Sequence, residues 1–99
     1  MSKVLFTIQY EIKQAKRNDY FNVIKELKNL LSLDGIESYN VFEVKGKENH
    51  FYEVYKFASE EAYEAFDDDQ NERINILINK LNDMTLGTKY TTLYELQIP

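Results

Sequence analysis

Apolar and polar residues alternate strictly at the start of the chain. Val4, Phe6, Ile8, Tyr10 and Ile12 occupy one phase, while Leu5, Thr7, Gln9 and Glu11 occupy the other. That period of two predicts a strand over about Lys3 to Lys13, with one face under a packed layer and the other against something less apolar. The period then changes. Tyr20, Val23, Ile24, Leu27, Leu30 and Leu31 recur every three or four residues, the stripe of an amphipathic helix, and Phe21 widens it. Asn18 is the expected N-cap, and Asp34-Gly35 the expected stop. Two aromatic-rich strands follow, about Ile36 to Val44 and His50 to Phe57, joined by the polar hairpin loop Lys45-Gly46-Lys47-Glu48-Asn49. In the second of these, Phe51, Tyr55 and Phe57 share a side with Glu53.

Ser59, followed by Glu60 and Glu61, predicts the start of a short helix through Phe66, because the helix dipole favours negative charge in the first turn. The run Asp67-Asp68-Asp69 should break it. Ile74, Leu77, Ile78 and Leu81 then start a longer stripe. Gly87 is expected to end that helix ahead of a last alternating strand, Tyr90 to Ile98. The order is β-α-β-β-α-β, the ferredoxin-like arrangement. It is an α+β class with a four-stranded antiparallel sheet and two helices on one face. Residues 1–99 read as a single domain. The order sets architecture and leaves chemistry open, since this arrangement carries many unrelated activities.

A sheet covered on one side leaves its other face to be hidden. Leu5, Thr7, Gln9, Thr91, Leu93 and Glu95 would lie there, too apolar in the middle for water and too polar for a dry core. A second copy of the same sheet suits that mixture, so a homodimer is expected.

Composition narrows the function classes. There is no cysteine, which excludes disulfides, thiolate metal sites and cysteine nucleophiles. The net charge of −5 argues against a nucleic-acid partner, and Lys13 to Arg17 reads as a solvated turn. No apolar run approaches a membrane span and no leader pattern precedes the first strand, so a soluble, cytoplasmic protein is expected. The four serines lack a nucleophile-elbow setting, and three isolated glycines make no phosphate loop.

Three features invite a chemical reading. His50, the single histidine, lies at the mouth of the hairpin and reads as a partly exposed turn-edge residue rather than a base. Asp67, Asp69 and Asn71 have the spacing of calcium ligands. Glu72 stands where such a loop needs glycine and Ile78 where it needs the bidentate glutamate, so no metal site is expected. Tyr10, Tyr55, Tyr90 and Tyr94 come from strands that would adjoin. They are either core rings with hydroxyls at the rim or the lining of a cleft.

The stretch Phe51-Tyr52-Glu53-Val54-Tyr55-Lys56-Phe57-Ala58-Ser59-Glu60-Glu61-Ala62-Tyr63-Glu64-Ala65-Phe66 resembles the strand-into-helix segment of antibiotic-biosynthesis-monooxygenase-like domains, and Thr92-Leu93-Tyr94-Glu95-Leu96 resembles their last strand. The resemblance implies a dimeric α+β barrel, with a small-ligand cleft between sheet and helices in each subunit. That family includes cofactor-free oxygenases acting on aromatic polyketides and haem-degrading enzymes. The histidine that ligates haem iron in the latter corresponds to Phe66 here, and phenylalanine ligates no metal. No cofactor is therefore expected.

The reading that results is a homodimer with an apolar or aromatic ligand, a carboxylate- or keto-bearing one among its forms. Phe6, Ile8, Tyr10, Phe21, Ile24, Tyr55, Phe66, Ile74 and Tyr90 are the candidate ligand-binding walls. Whether it is an enzyme of monooxygenase-like type stays open, because no residue is a convincing catalyst. The alternative is a structural or regulatory dimer module with no occupied pocket. The first reading needs a cavity of roughly 300 Å³ or more; the second needs native packing without one.

Overall fold

The computed structural model describes residues 3–31, 36–67 and 71–98. Strand β1 (Val4–Ile12) alternates as its sequence requires. It pairs antiparallel with β3 (His50–Phe57) on one side and β4 (Thr85–Tyr94) on the other, and β2 (Ser38–Glu43) completes the order β2-β3-β1-β4. Register puts Val4, Phe6, Ile8 and Tyr10 opposite Phe57, Tyr55, Glu53 and Phe51. These face the helices. Leu5, Thr7 and Gln9, opposite Leu93, Thr91 and Lys89, face the other way.

Helix α1 (Arg17–Leu31) buries Tyr20, Val23, Leu27 and Leu31, four members of the expected stripe. Asn18 is not its N-cap. A 3-10 turn at Gln14–Lys16 leads straight into the helix, so residue 18 already lies inside the first turn. The start is held instead by Arg17. Its guanidinium donates to Asn49 Oδ1 at 2.6 Å and Glu43 Oε2 at 3.2 Å, and stands 5.0 Å from the Phe21 ring centre. The expected stop at Asp34-Gly35 lies outside the described residues.

The second helical region is divided, as the acidic run suggested. In α2 (Glu60–Asp67), Ser59 Oγ accepts the Ala62 amide at 3.1 Å, the predicted cap. In α3 (Glu72–Met84), Asn71 Oδ1 accepts the Ile74 amide at 3.0 Å. Asn71 thus serves as a helix cap; Asp68 and Asp69 lie outside the described residues. An exposed ion pair between Arg73 of α3 and Glu26 of α1 ties the two helices at the surface.

Gly87 does not separate α3 from β4. The strand begins at Thr85, directly after the helix, and Gly87 lies within it at φ +61°. Between the pairs Gln9–Lys89 and Glu11–Leu86, β4 carries one residue more than β1. This is a bulge, and glycine occupies its left-handed position without steric cost. The alternation beyond Tyr94 leaves the strand, and Leu96 and Ile98 are exposed.

Candidate functional site: a cavity walled by aromatic rings and a buried carboxyl

The inward face of the sheet carries a charged residue at its centre. Glu53 lies opposite Ile8 of β1 and Val41 of β2, and is 1 % exposed. Three tyrosines serve it. Tyr39 of β2 donates to its Oε1 at 2.6 Å and Tyr55 of β3 to the same oxygen at 3.4 Å, while the Tyr10 hydroxyl also bears on the carboxyl. Tyr10 is bonded in turn to Tyr20 of α1, oxygen to oxygen at 2.7 Å. Burial pushes the Glu53 carboxyl above the usual carboxylate range, and the hydroxyls of Tyr39, Tyr10 and Tyr55 oppose that rise. Burial likewise holds the phenols of Tyr10, Tyr39 and Tyr55 far above their ordinary value, and the adjacent Glu53 adds to the effect. These hydroxyls are donors, and they stay protonated.

Beside this cluster, between β1, β3 and β4 and the helices α2 and α3, lies a cavity of about 180 Å³. Phe6, Ile8, Tyr10, Tyr55, Phe66 and Tyr90 line it, six of the nine residues expected to form ligand walls. Phe6 and Tyr90 are stacked with ring centres 6.0 Å apart; Phe6 and Phe66 flank Tyr55 at 5.7 and 5.6 Å. The other three expected residues lie elsewhere. Phe21 sits on the outside of α1, 43 % exposed, against Phe51 and Arg17. Ile24 packs on the core from α1, and Ile74 is buried in that core near the start of α3. Tyr94, the fourth tyrosine of interest, is largely exposed.

Glu53 and the polar groups of Asn82, Thr85 and Thr88 also line the cavity and were not anticipated as site residues. The signal for Glu53 was present: a carboxylate in phase with Phe51, Tyr55 and Phe57 is out of place on a buried face. Thr85 and Thr88 were hidden because β4 was expected to begin only at Tyr90. His50 is not a wall of the cavity; its Nε2 stands 3.8 Å from Glu11 Oε2, and it is half-buried.

The cavity is smaller than the roughly 300 Å³ expected of a drug-sized site. It is close to the roughly 150 Å³ that admits a benzene molecule. Two larger hollows, about 440 and 490 Å³, lie at the surface and are walled mostly by polar and charged side chains, such as Asp19 and Lys80 in one and Arg17 and Glu48 in the other. Among the described residues no cluster of three or more His, Cys, Asp or Glu is placed to hold a metal ion, and no helix is long and apolar enough to cross a membrane.

The same architecture recurs in solved structures. An antibiotic biosynthesis monooxygenase is 18 % identical, with all of both chains covered and a TM-score of 0.75. The chain shares its fold with these monooxygenases. SnoaB, a cofactor-independent oxygenase from Streptomyces nogalater, is 10 % identical over 97 % of this chain and 95 % of its own, at a TM-score of 0.80. A conserved protein of unknown function from Bacteroides thetaiotaomicron is 15 % identical over 95 % and 98 %, also at 0.80. No protein-family model matches the sequence, and no curated protein is significantly similar to it. At such identities the likeness is one of fold.

Proposed function

We propose that this protein is a homodimer that binds a small, single-ring molecule in the cavity between the sheet and helices α2 and α3. The observation that carries the reading is the cavity itself: a well-packed core has no space of 180 Å³ ringed by five aromatic side chains. Its size selects one aromatic ring rather than a fused polycycle. The shared fold with a cofactor-independent oxygenase supports a small-molecule role over a purely structural one.

The dimer rests on the opposite face of the sheet. Leu5 pairs with Leu93 there, and Leu93, Phe42 and Tyr52 are exposed in the single chain. Thr7 and Thr91 lie at the middle, with Glu11 and Lys56 toward the ends. A two-fold partner presenting the same surface covers it.

Native mass spectrometry tests both parts together. The expected result is a species of twice the 11.8 kDa chain mass that takes up one toluene-sized ligand per chain. Phe66→Trp should fill the cavity and abolish uptake without changing the mass of the assembly. A species of one chain mass at micromolar concentration would overturn the dimer. Undiminished uptake by Phe66→Trp would overturn the cavity assignment.

A further inference from the structure

We propose that Glu53 makes this cavity selective for a small arylalkylamine, whose ring lies among Phe6, Tyr55, Phe66 and Tyr90 and whose ammonium group pairs with the Glu53 carboxylate. The inference rests on the reading of the cavity as a single-ring site, and adds the ligand's charge.

The argument is one of missing compensation. A buried carboxylate needs a partner of opposite charge or a full set of donors. Tyr39, Tyr55 and Tyr10 supply donors. None supplies positive charge, and among the described residues no Lys, Arg or His lines the cavity. Each element packed around Glu53 repeats the pattern. Tyr10 on β1, Tyr39 on β2, Tyr55 on β3, Tyr90 on β4 and Tyr20 on α1 are neutral phenols, and α2 and α3 present Phe66, Ile78, Leu81 and Asn82. Without a ligand, protonation relieves the uncompensated charge; for the carboxylate to persist, the countercharge comes with a ligand. An ammonium group supplies it, and the surrounding ring faces attract a cation in their own right. A carboxylate-bearing ligand, one of the forms expected from the sequence, meets a second anion where Glu53 is ionised and finds no countercharge among the lining residues where it is protonated, so it is disfavoured in either state. A neutral ring is accepted on size alone.

Proton balance follows. An alkylammonium stays charged at neutral pH. When it binds, a protonated Glu53 gives its proton to solvent and remains as the carboxylate partner; no covalent bond changes. Affinity for the amine therefore rises with pH on the acid side, up to tenfold per unit, and levels once Glu53 is ionised in the free protein.

The test is calorimetric titration of the intact protein with benzylamine, benzyl alcohol and benzoate. At pH 7 benzylamine should bind at least tenfold more tightly than benzyl alcohol, and benzoate should give no heat. At pH values below the level part of the affinity profile, buffers of different ionisation enthalpy should reveal proton release with the amine alone. Glu53→Gln should bring benzylamine down to the level of the alcohol. Phe66→Trp, which leaves Glu53 in place, should abolish both. Equal affinity for amine and alcohol in the unsubstituted protein would overturn the charge assignment while the cavity reading stood. Binding of none of the three would overturn the cavity reading and this inference with it. Both outcomes are readable even where Glu53→Gln fails to fold.

Discussion

The two halves of the helix-covered face contain similar residues and pack differently. Over β2 and β3, the single helix α1 sets Tyr20 against Phe51 with ring centres 4.8 Å apart, and Tyr20, Leu27 and Leu31 are at most 1 % exposed. Toward β1 and β4, two shorter helices share the task, α2 against β3 and α3 against β4, and Phe6, Tyr55, Phe66 and Tyr90 surround open space instead of filling it. Aromatic richness is the same signal in both halves. Continuity of the covering helix decides whether it becomes core or cavity. Glu53 lies on the seam, bonded to Tyr39 from the filled half and Tyr55 from the open one.

The sharpest way to break this contrast is to delete equal bulk from each half. Leu27 is fully buried, so Leu27→Ala should cost about 2–5 kcal/mol, because the surrounding helix and strands close only partly around the lost methyl groups. Ile78, half-buried on the cavity wall, already borders space. Ile78→Ala should cost about 1 kcal/mol, since it widens an existing hollow. Urea denaturation measures both. Equal losses would mean that the open half is as tightly packed as the closed one.

The seam gives the next test. The folded-state pKa of Glu53 is raised, with burial the principal cause. Between the ordinary glutamate value, about 4.3, and that raised value, the native state binds more protons than the unfolded chain. Unfolding then releases a proton, so stability falls as pH rises through this window and levels above it. The slope contributed by one group approaches about 1.4 kcal/mol per pH unit at most. Glu53→Gln keeps an oxygen to accept from Tyr39 and cannot ionise. Its stability should lack this decline, so that the variant gains on the unsubstituted protein as pH increases from 4 to 8. Parallel stability curves for the two proteins would remove Glu53 as a buried titrating group.

Most of the fold could be read from the chain because the first strand and the helical stripes have clear periods and turn residues separate the other elements. β1, the α1 stripe, β3 and the Ser59 cap were all legible, as was the break after α2. The failures have local causes. Asn18 has the right chemistry for a cap, but the 3-10 turn ahead of it depends on how the chain leaves β1, which no short pattern records. Phe21 and Ile24 belong to α1, and nothing in a helical stripe tells which half of a sheet it will cover. Ile74 shares the α3 stripe with Ile78 and Leu81, yet only the latter two reach the cavity. The polar part of the site was the least legible. Glu53 is conspicuous only when its phase is weighed against its neighbours, and its tyrosine partners converge from β1, β2 and β3.

Gly87 offers the smallest effect and the finest test of how the open half is built. Read as a helix stop, it would tolerate any residue that can end a helix. As the left-handed position of a bulge, it resists most side chains. Space is not the issue, since a Cβ at Gly87 would meet nothing within 4 Å. The cost lies in the backbone, where φ is +61°, and a residue with a Cβ in that region is disfavoured by about 1 kcal/mol or somewhat more. Gly87→Ala should lose that amount of stability. Gly87→Asn should lose less, because asparagine tolerates the left-handed region, as Asn49 does in this chain at φ +67°. The bulge also sets the phase in which Thr85, Thr88 and Tyr90 reach the cavity. Straightening it would shift part of β4 by one residue and turn those side chains to the other face. Alanine should therefore weaken uptake of a single-ring ligand more than asparagine does, in the same order as the stability losses. Equal uptake and equal stability for the two variants would show that the bulge does not shape the cavity.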